Sequence, residues 1–262
     1  MEQPGSRNFT LAIDIGNTRA HFGVVDINSM ICIASRTISS EAFRESLVTT
    51  VLDIFEKHDK SFCAQIVISS VIKSLSELAR NKLEELFTDR VNVARFSSEL
   101  PFQCKYKKPL TLGVDRLANA LYGYTAFPGR DLILISAGTA ITIDLLNKNE
   151  FAGGTILPGV RTQLLSLKQS TDALPAVTFG GGQSEIPVLG LTTEECISAG
   201  VLYGTAGAIE RIVREIKNVT APDSLVLGTG GDWEFLSKHL SFDYQSIPDM
   251  TLIGTALFVK YQ

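Results

Sequence analysis

The sequence is poor in the residues that build disulfide frameworks and metal centres. Its 262 residues include four cysteines and three histidines, all widely separated, and no two cysteines have the Cys-x-x-Cys spacing. This distribution predicts neither a zinc knuckle nor a redox pair, and it favours a reduced compartment. The sequence also lacks a Gly-x-Ser-x-Gly nucleophile elbow, so a serine hydrolase of that type is not indicated.

Charge of one sign and long apolar runs are also scarce. Lys and Arg number 24 against 28 Asp and Glu, which gives a net charge of −4. A general nucleic-acid binder needs a basic face, so no nucleic-acid partner is expected. The apolar stretch 132–143 is well short of the ~20 residues of a membrane-spanning helix, and the polar opening of the chain lacks a signal-peptide pattern. We therefore expect no membrane partner and a cytoplasmic location.

Apolar segments are instead short, and they repeat in order. Hydrophobic residues make up 45% of the chain, enough for one large core or two smaller ones. Three strand patterns, a helix, a strand and a helix occur in the first half, and the same order returns in the second. LAIDIGNT at 11–18 also matches LILISAGT at 132–139. The sequence predicts an α/β protein of two similar halves, 1–118 and 119–262, facing each other across a cleft, with a packed hinge near 113–130.

The first candidate segment is DIGNTRAH, residues 14–21. Asp14 ends a buried strand pattern and is followed by Gly16, Asn17 and Thr18. Glycine lets backbone N–H groups approach a phosphate, Asn17 and Thr18 can donate hydrogen bonds, and Asp14 can hold hydrated Mg²⁺. The same residues would also suit an ordinary hairpin turn. The segment is not a P-loop, because the Gly-Lys-Ser/Thr signature is missing.

The second segment, ISAGTAITID at 135–144, holds a similar turn. Gly138, Thr139 and Thr142 are small residues placed between two strand patterns. Thr142 also fits the outward face of a strand. Two such turns at equivalent places, one in each half, favour the binding of a triphosphate between paired hairpins.

The third segment, GVDRLANALYG at 113–123, places Asp115 in the first turn of a predicted helix. Facing a substrate, Asp115 would accept a proton from a hydroxyl as phosphoryl transfer begins, and Arg116 would hold an anionic group. Alternatively, Asp115 complements the helix dipole and Arg116 is a surface partner. The sequence leaves both interpretations open.

Three more segments place glycine or threonine at the ends of predicted elements. GGTILPG at 153–159 implies close backbone approach or a bulge, and it favours tight packing against a neighbouring helix over ligand contact. A long helix begins near Thr193 with Thr192 and Glu195 as a capping box, and its small residues suit packing against another helix, even one of a second subunit. LGTGGDW at 227–233 is typical of a strand–turn–helix, where the backbone can approach adenosine or its phosphates.

Taken in order, these segments resemble the type III pantothenate kinase family. The likeness runs from DIGNTR through GVDR, AGTAITID, GGTILPG and TEECISAG to GTGGD. The resemblance implies the actin-like ATPase fold, with two ribonuclease-H-like domains around an interdomain cleft. It also implies ATP-dependent phosphorylation of pantothenate to 4′-phosphopantothenate, the first step of coenzyme A biosynthesis. The implied cofactors and partners are ATP with Mg²⁺, a monovalent cation (K⁺ or NH₄⁺), pantothenate and a second copy in a homodimer.

The resemblance also implies roles for individual residues. Asp115 is the implied proton acceptor, and Asp14 is the implied Mg²⁺ contact through water. The implied ATP contacts are Asp14, Ile15, Gly16, Asn17, Thr18, Arg19, Ala20, His21 and Thr139. The implied pantothenate contacts are Tyr106, Gly113, Val114, Asp115, Arg116 and Thr193.

Ser136 departs from the family pattern. The family usually has Asp before AGTA, where it coordinates a cation such as K⁺; a serine hydroxyl can ligate K⁺ but brings no charge. The sequence therefore leaves open whether a monovalent cation is needed. Asp14, Asp115 and Arg116 are all retained, which favours an active kinase. A non-catalytic accessory or regulatory protein on the same fold, or another actin-like phosphotransferase, are the alternatives.

Overall fold

The computed structural model describes residues 9–58, 63–179 and 186–261, which divide into two compact units. Unit 1 contains the chain up to Gly129, a short return at Asn149–Phe151 and the C-terminal segment from Asp249. Unit 2 contains Arg130–Lys148 and Ala152–Pro248. This division differs from the predicted halves 1–118 and 119–262, because a helix across position 118 stays whole in unit 1 and the end of the chain returns to that unit.

The strands and helices follow the predicted order. The strands are β1 (Phe9–Ile15), β2 (Arg19–Asp26), β3 (Ile31–Ser39), β4 (Cys63–Ser70), β5 (Val91–Val93), β6 (Gln103–Cys104), β7 (Leu132–Ala137), β8 (Ala140–Asn147), β9 (Glu150–Pro158), β10 (Leu225–Thr229) and β11 (Gln245–Ser246). The helices are α1 (Phe43–His58), α2 (Lys73–Glu84), α3 (Val114–Ala126), α4 (Val160–Gln169), α5 (Thr193–Val219), α6 (Trp233–Ser237) and α7 (Met250–Leu257). The two-residue strands β6 and β11 were not predicted, because so short a segment has no periodicity.

Unit 1 is built on a sheet of order β3-β2-β1-β4-β5. The strand β2 runs antiparallel to β1 and β3, whereas β4 runs parallel to β1 and β5 parallel to β4. Strand β1 lies in the middle of this sheet, which explains its nearly continuous apolar sequence. Its Leu11, Ile13 and Ile15 are fully buried and share a core with the apolar faces of α1 and α2.

The second sheet has the order β11-β10-β7-β8-β9-β6, and its first five strands repeat the topology of the first sheet. Again the first two strands, β7 and β8, are antiparallel, and β10 lies parallel to β7 on its other side. The repeat predicted from the matched segments therefore holds at the level of strand order. Ser136 occupies the place in β7 that Asp14 occupies in β1: Asp14 pairs with His21 and Ser69, and Ser136 pairs with Thr142 and Thr229.

Helix α5 is long and apolar enough, by length and composition alone, to cross a membrane. Its charged residues interrupt every long apolar run, so the sequence did not indicate it as a membrane-spanning helix. Half of its most apolar window is buried inside the structure, and Ile197, Leu202 and Ile209 of this helix belong to the core of unit 2. We interpret α5 as a core helix of unit 2.

Helices α3 and α7 cross in unit 1 at close range, which gives a stability prediction. A Cβ added to Gly254 would lie 1.9 Å from the carbonyl oxygen of Ala118. Because backbone cannot yield as a flexible side chain can, Gly254→Ala is expected to lower the free energy of unfolding by about 2 kcal/mol, despite alanine's better helix propensity. Urea unfolding monitored by circular dichroism measures the change.

The neighbouring residue supplies a control of opposite sign. Thr255 is fully buried, and its hydroxyl has no hydrogen-bond partner among the described residues. Thr255→Val keeps the shape and removes the unpaired polar group, so it is expected to raise the free energy of unfolding by about 1 kcal/mol. Equal effects from both substitutions would show that the contact of α7 with α3 is not as close as the structure has it.

Candidate functional site

Asp14 stands near the carboxyl end of the central strand of unit 1. Ser69, at the matching position of the parallel neighbour β4, is fully buried and donates a hydrogen bond from Oγ to Asp14 Oδ1 at 3.0 Å. Burial raises the pKa of Asp14 from 3.8 to about 7, the negative charge of Asp115 adds to the rise, and the bond from Ser69 opposes it. Ser69 was not singled out from the sequence, because a serine at a strand end has no distinctive pattern.

The turn that follows Asp14 is held by its own backbone and by one serine. Gly16 N–H donates to the Arg19 carbonyl at 2.9 Å. The Ser40 hydroxyl donates to the Gly16 carbonyl at 2.8 Å, and Ser40 N–H donates to the Thr18 carbonyl at 3.0 Å. The side chains of Asn17, Thr18 and Arg19 are exposed.

Two of the predicted ATP contacts have buried side chains. Ile15 and Ala20 flank the turn and are both fully buried in the core of unit 1. Only their backbone groups could contact a nucleotide. The prediction for these two positions is thereby limited to main-chain contact.

His21 lies opposite Asp14 in the antiparallel β1–β2 pair. Its Nδ1 and the Thr37 hydroxyl are 2.9 Å apart and share a hydrogen bond. Burial lowers the pKa of His21, the Arg19 charge lowers it further, and the Asp249 carboxylate opposes this. A neutral imidazole is therefore favoured near neutral pH.

Asp115 lies in the first turn of α3, where its side chain folds back over the preceding glycine. A Cβ on Gly113 would lie 2.5 Å from Asp115 Oδ1, so only glycine leaves room for this carboxylate. Burial raises the pKa of Asp115, while the backbone N–H and the charge of Arg116 oppose the rise. A carboxylate with a raised pKa is a better proton acceptor than an ordinary aspartate. Val114, beside it, is buried.

Arg116 is buried between two aromatic rings rather than exposed as a surface partner. Its exposed fraction is 4%. The guanidinium carbon lies 5.6 Å from the centre of the Tyr106 ring and 5.7 Å from that of Phe151, which are cation–π distances. The sequence did not indicate Phe151, because its segment joins unit 1 only through the pairing of β6 with Glu150 and Phe151.

The second predicted turn lies in unit 2. Gly138 N–H donates to the Ala140 carbonyl at 3.0 Å, much as Gly16 closes the first turn. The carbonyl of Thr139 accepts from Gly159 N–H at 2.9 Å and from the Thr162 hydroxyl at 2.7 Å. Thr139 itself is exposed. A Cβ on Gly159 would lie 1.9 Å from the Gly138 carbonyl oxygen, so the GGTILPG segment packs closely here against the backbone of this turn and not against a helix as predicted.

The start of α5 is capped as the sequence predicted. Thr192 Oγ1 accepts from Glu195 N–H at 3.2 Å, and Glu195 Oε2 accepts from Leu191 N–H at 2.7 Å. Thr193, the predicted substrate contact, is the first helical residue and is exposed.

The structure thus gathers most of the predicted residues in unit 1 and the others in unit 2. Asp14, His21, Tyr106, Asp115 and Arg116 belong to unit 1. Ser136, Thr139 and Thr193 belong to unit 2.

Metal ligands are few within the described ranges. No group of three or more His, Cys, Asp or Glu side chains there could hold a metal ion. An oxygen ligand such as the half-buried carboxylate of Asp14 suits Mg²⁺, which usually keeps several waters and binds through one or two carboxylates and substrate phosphates. The residues present therefore fit a magnesium ion that arrives with a nucleotide. They offer no cage for a metal bound alone.

Comparison with known proteins gives one consistent family. The sequence model of the type III pantothenate kinase family matches residues 10–215. A type III pantothenate kinase from Persephonella marina is 32% identical over 261 residues, covering 96% of this chain and 97% of that protein. Another, from Flavobacterium psychrophilum, is 32% identical and covers 88% of this chain and 90% of its own.

Solved structures agree on the fold. A Campylobacter jejuni structure described as a Baf family transcriptional activator has a TM-score of 0.61 at 23% identity, covering 95% of this chain and 97% of its own. A ROK family glucokinase from Streptomyces griseus, in complex with glucose and AMPPNP, has a TM-score of 0.58 at 15% identity and covers 96% and 99% of the two chains. These matches confirm the predicted actin-like ATPase fold. A nucleotide cleft between the two halves stays a prediction.

Proposed function

Because the chain belongs to the type III pantothenate kinase family, we propose that it transfers the terminal phosphoryl group of ATP to the hydroxyl of pantothenate. The product is 4′-phosphopantothenate, made in the first step of coenzyme A biosynthesis. The observation that carries the proposal is the placement of two carboxylates in unit 1, Asp14 at the carboxyl end of β1 and Asp115 in the first turn of α3. A kinase needs one carboxylate for the metal–nucleotide side and one for the acceptor alcohol.

Asp115 is the proposed proton acceptor. The alcohol oxygen of pantothenate attacks the γ-phosphorus of ATP, the bond from that phosphorus to the β–γ bridging oxygen breaks, and ADP leaves. The hydroxyl proton passes to Asp115. Burial raises the pKa of this carboxyl, so it binds the proton more readily than an exposed aspartate would.

Asp14 and the following turn are proposed to hold the nucleotide phosphates. Bound Mg²⁺ would neutralise phosphate charge, with Asp14 as the protein's contact through water. Exposed Asn17 and Thr18 would donate hydrogen bonds, and backbone N–H groups of the turn would do the same. In unit 2, Thr139 is proposed as a further ATP contact.

The acceptor side is proposed to be built by the start of α3 and its aromatic neighbours. Pantothenate is an anion, and the buried charge of Arg116 suits a carboxylate. Tyr106 and Phe151 fix the guanidinium in place through their ring faces. Thr193 would contribute a hydroxyl at the exposed start of α5.

We also propose a cytoplasmic homodimer. One face of α5 carries Gly200, Gly204 and Gly207, and a Cβ at any of the three would meet nothing within 4 Å. This face leaves room for the close approach of a second helix. The proposal agrees with the small-residue stripe noted in the sequence.

A coupled assay for ADP release tests the function. Purified protein with Mg-ATP is expected to turn over with pantothenate and not with a panel of other small hydroxylated acids. Turnover with another acceptor alone would favour a different actin-like phosphotransferase. No turnover with any acceptor, in any monovalent salt, would favour an accessory or regulatory role.

Ser136 leads to a prediction about monovalent cations. Ser136 is half-buried in β7, and its partners in the neighbouring strands are the uncharged residues Thr142 and Thr229. Ser136→Asp adds a negative charge there, and charge is felt more strongly near a protein interior than in water. We expect the ratio of activity in K⁺ to activity in Na⁺ to rise about tenfold, as measured by titrating each salt in the coupled assay.

The control is an exposed serine of the same unit. Ser166→Asp, on α4, adds the same charge at an exposed position and is expected to leave the ratio unchanged. If the wild-type and Ser136→Asp proteins have the same ratio of activity in K⁺ to activity in Na⁺, residue 136 does not determine the cation requirement.

A further inference from the structure

The turn of unit 2 that carries Thr139 is contacted by other segments on two sides. On one side, Gly159 and Thr162 at the start of α4 donate to the Thr139 carbonyl. On the other, the loop before α6 approaches Ala137: Gly230 adopts φ +100°, and a Cβ there would lie 2.2 Å from the Ala137 carbonyl oxygen. Only glycine tolerates both that dihedral and that contact.

An ion pair joins these two sides of the turn. Arg161 Nε, on α4, donates to Asp232 Oδ1 at 3.2 Å. Asp232 in turn donates its backbone N–H to the Ala137 carbonyl at 3.0 Å. The ion pair is therefore hydrogen-bonded to the last residue of β7, two residues before Thr139.

The carboxylate of Asp232 is turned toward Arg161 rather than toward its own helix. Asp232 occupies the N-cap position of α6, where an aspartate usually accepts from the first helical N–H groups, yet its side chain makes no cap hydrogen bond. It is also 12% exposed as a side chain, against 67% for Arg161. A buried carboxylate thus orients an arginine whose outer part faces solvent.

The outer part of Arg161 is left for a ligand. Of its guanidinium nitrogens, Nε is taken by Asp232, and in the described part of the chain Nη1 and Nη2 make no hydrogen bond. Two parallel N–H groups in a plane match the oxygens of a phosphate. Because the arginine of this pair is 67% exposed, solvent screens the attraction and the pair contributes little to stability alone, so stability does not explain why the carboxylate gives up its capping role.

We propose that Arg161 binds a phosphate of the nucleoside triphosphate held at the Thr139 turn, and that Asp232 is a positioning residue for Arg161. The inference rests on the proposed ATP-dependent kinase function. It adds a phosphate ligand in unit 2 that neither the Thr139 turn nor the Gly113–Arg116 segment supplies.

Isothermal titration with ATP, ADP and adenosine separates a phosphate contact from a structural effect. Arg161→Ala is expected to raise the dissociation constant of ATP at least tenfold, since hydrogen bonds to charged groups are the strong ones, and to leave that of adenosine within twofold. Asp232→Asn is expected to weaken ATP about fivefold. In the Arg161→Ala background it is expected to add nothing, because it acts through the arginine.

Arg80→Ala is the matched control. Arg80 forms a similar exposed pair through Nε, at 2.8 Å from Glu84 on α2, and its loss is expected to leave ATP affinity unchanged. If Arg161→Ala binds ATP like the wild type, or weakens adenosine as much as ATP, the inference is wrong. If the wild-type protein itself fails to bind ATP, the proposed kinase function fails instead. Thermal melts of each variant show whether it is folded.

Discussion

Asp115→Asn is expected to lower the turnover number for pantothenate by a factor of about 10² to 10⁴ while ATP still binds. Asparagine keeps the size of the side chain, so the fold over Gly113 is preserved. It cannot take the hydroxyl proton, and the attacking oxygen is then a poor nucleophile. The coupled assay gives the turnover number, and titration with ATP gives the affinity.

The pH profile adds a second readout for Asp115. In the wild type, burial raises the pKa of this carboxyl, so activity should fall on the acid side at a pH above the ordinary range of aspartate. The exposed Asp172 serves as the control: Asp172→Asn should leave turnover and pH profile intact. Loss of ATP affinity equal to the loss of turnover in Asp115→Asn would contradict a role in proton transfer.

Asp14→Asn is expected to have two large effects of opposite sign. Phosphoryl transfer should fall by about 10²-fold or more, since the proposed contact to hydrated Mg²⁺ is lost. The ligand-free protein should become more stable at pH 8, by about 2 kcal/mol, because a carboxylate that burial and Asp115 keep from ionising freely is replaced by a neutral amide. A residue that only supported the fold would show loss of stability together with loss of activity.

The sign of the pH dependence follows from the pKa. The folded protein holds the proton of Asp14 up to about pH 7, whereas the unfolded chain releases it near the ordinary value of 3.8. The stability contributed by this protonation is therefore fully present below pH 4 and is lost as the pH rises through 7. The difference in melting temperature between Asp14→Asn and wild type should be near zero at pH 4 and grow toward pH 8. A difference independent of pH would show that Asp14 has an ordinary pKa.

Ser69→Ala tests the hydrogen bond that orients Asp14. Its loss should raise the pKa of Asp14 further, since the bond from Ser69 lowers it, and should move the acid limb of the pH–rate profile upward. Ser74 on α2 is exposed, and Ser74→Ala is the control. A shift of the acid limb of the pH–rate profile would show that Ser69 acts on Asp14. A change in the maximum rate alone would indicate a general loss of stability.

The repeat of the fold could be predicted from the sequence because its strands are short, apolar and punctuated by glycine turns. Asp14 and Asp115 could be singled out because one ends a strand before a glycine and the other begins a helix after one. The unit boundary could not be placed, because no linker marks it. Periodicity does not reveal that α7, at the end of the chain, packs against β1, β2 and α3.

The contacts that depend on distant segments were equally invisible. Phe151 reaches Arg116 only because two residues of β9 pair with β6. Ser69 meets Asp14 through the register of two adjacent parallel strands, β1 and β4, which β2, β3 and α1 separate in the sequence. The sequence predicted Arg116 as a ligand contact or a surface partner. Neither interpretation predicted that it is buried between two aromatic rings. The strand order and register bring such side chains to the site, so their residue types alone do not predict that they belong to it.

The composition of unit 1 from three separate stretches of the chain bears on how the protein is synthesised. Helix α7, whose Gly254 lies against the backbone of α3, follows unit 2 in the chain and therefore leaves the ribosome after it. Unit 2 has its whole sequence available earlier, while the sheet of unit 1 must wait with one apolar face uncovered until α7 has been made. Nascent chains stalled before Met250 should therefore be bound by chaperones through the early part of unit 1. Adding the missing segment from Asp249 onward as a separate peptide should release them from the chaperones.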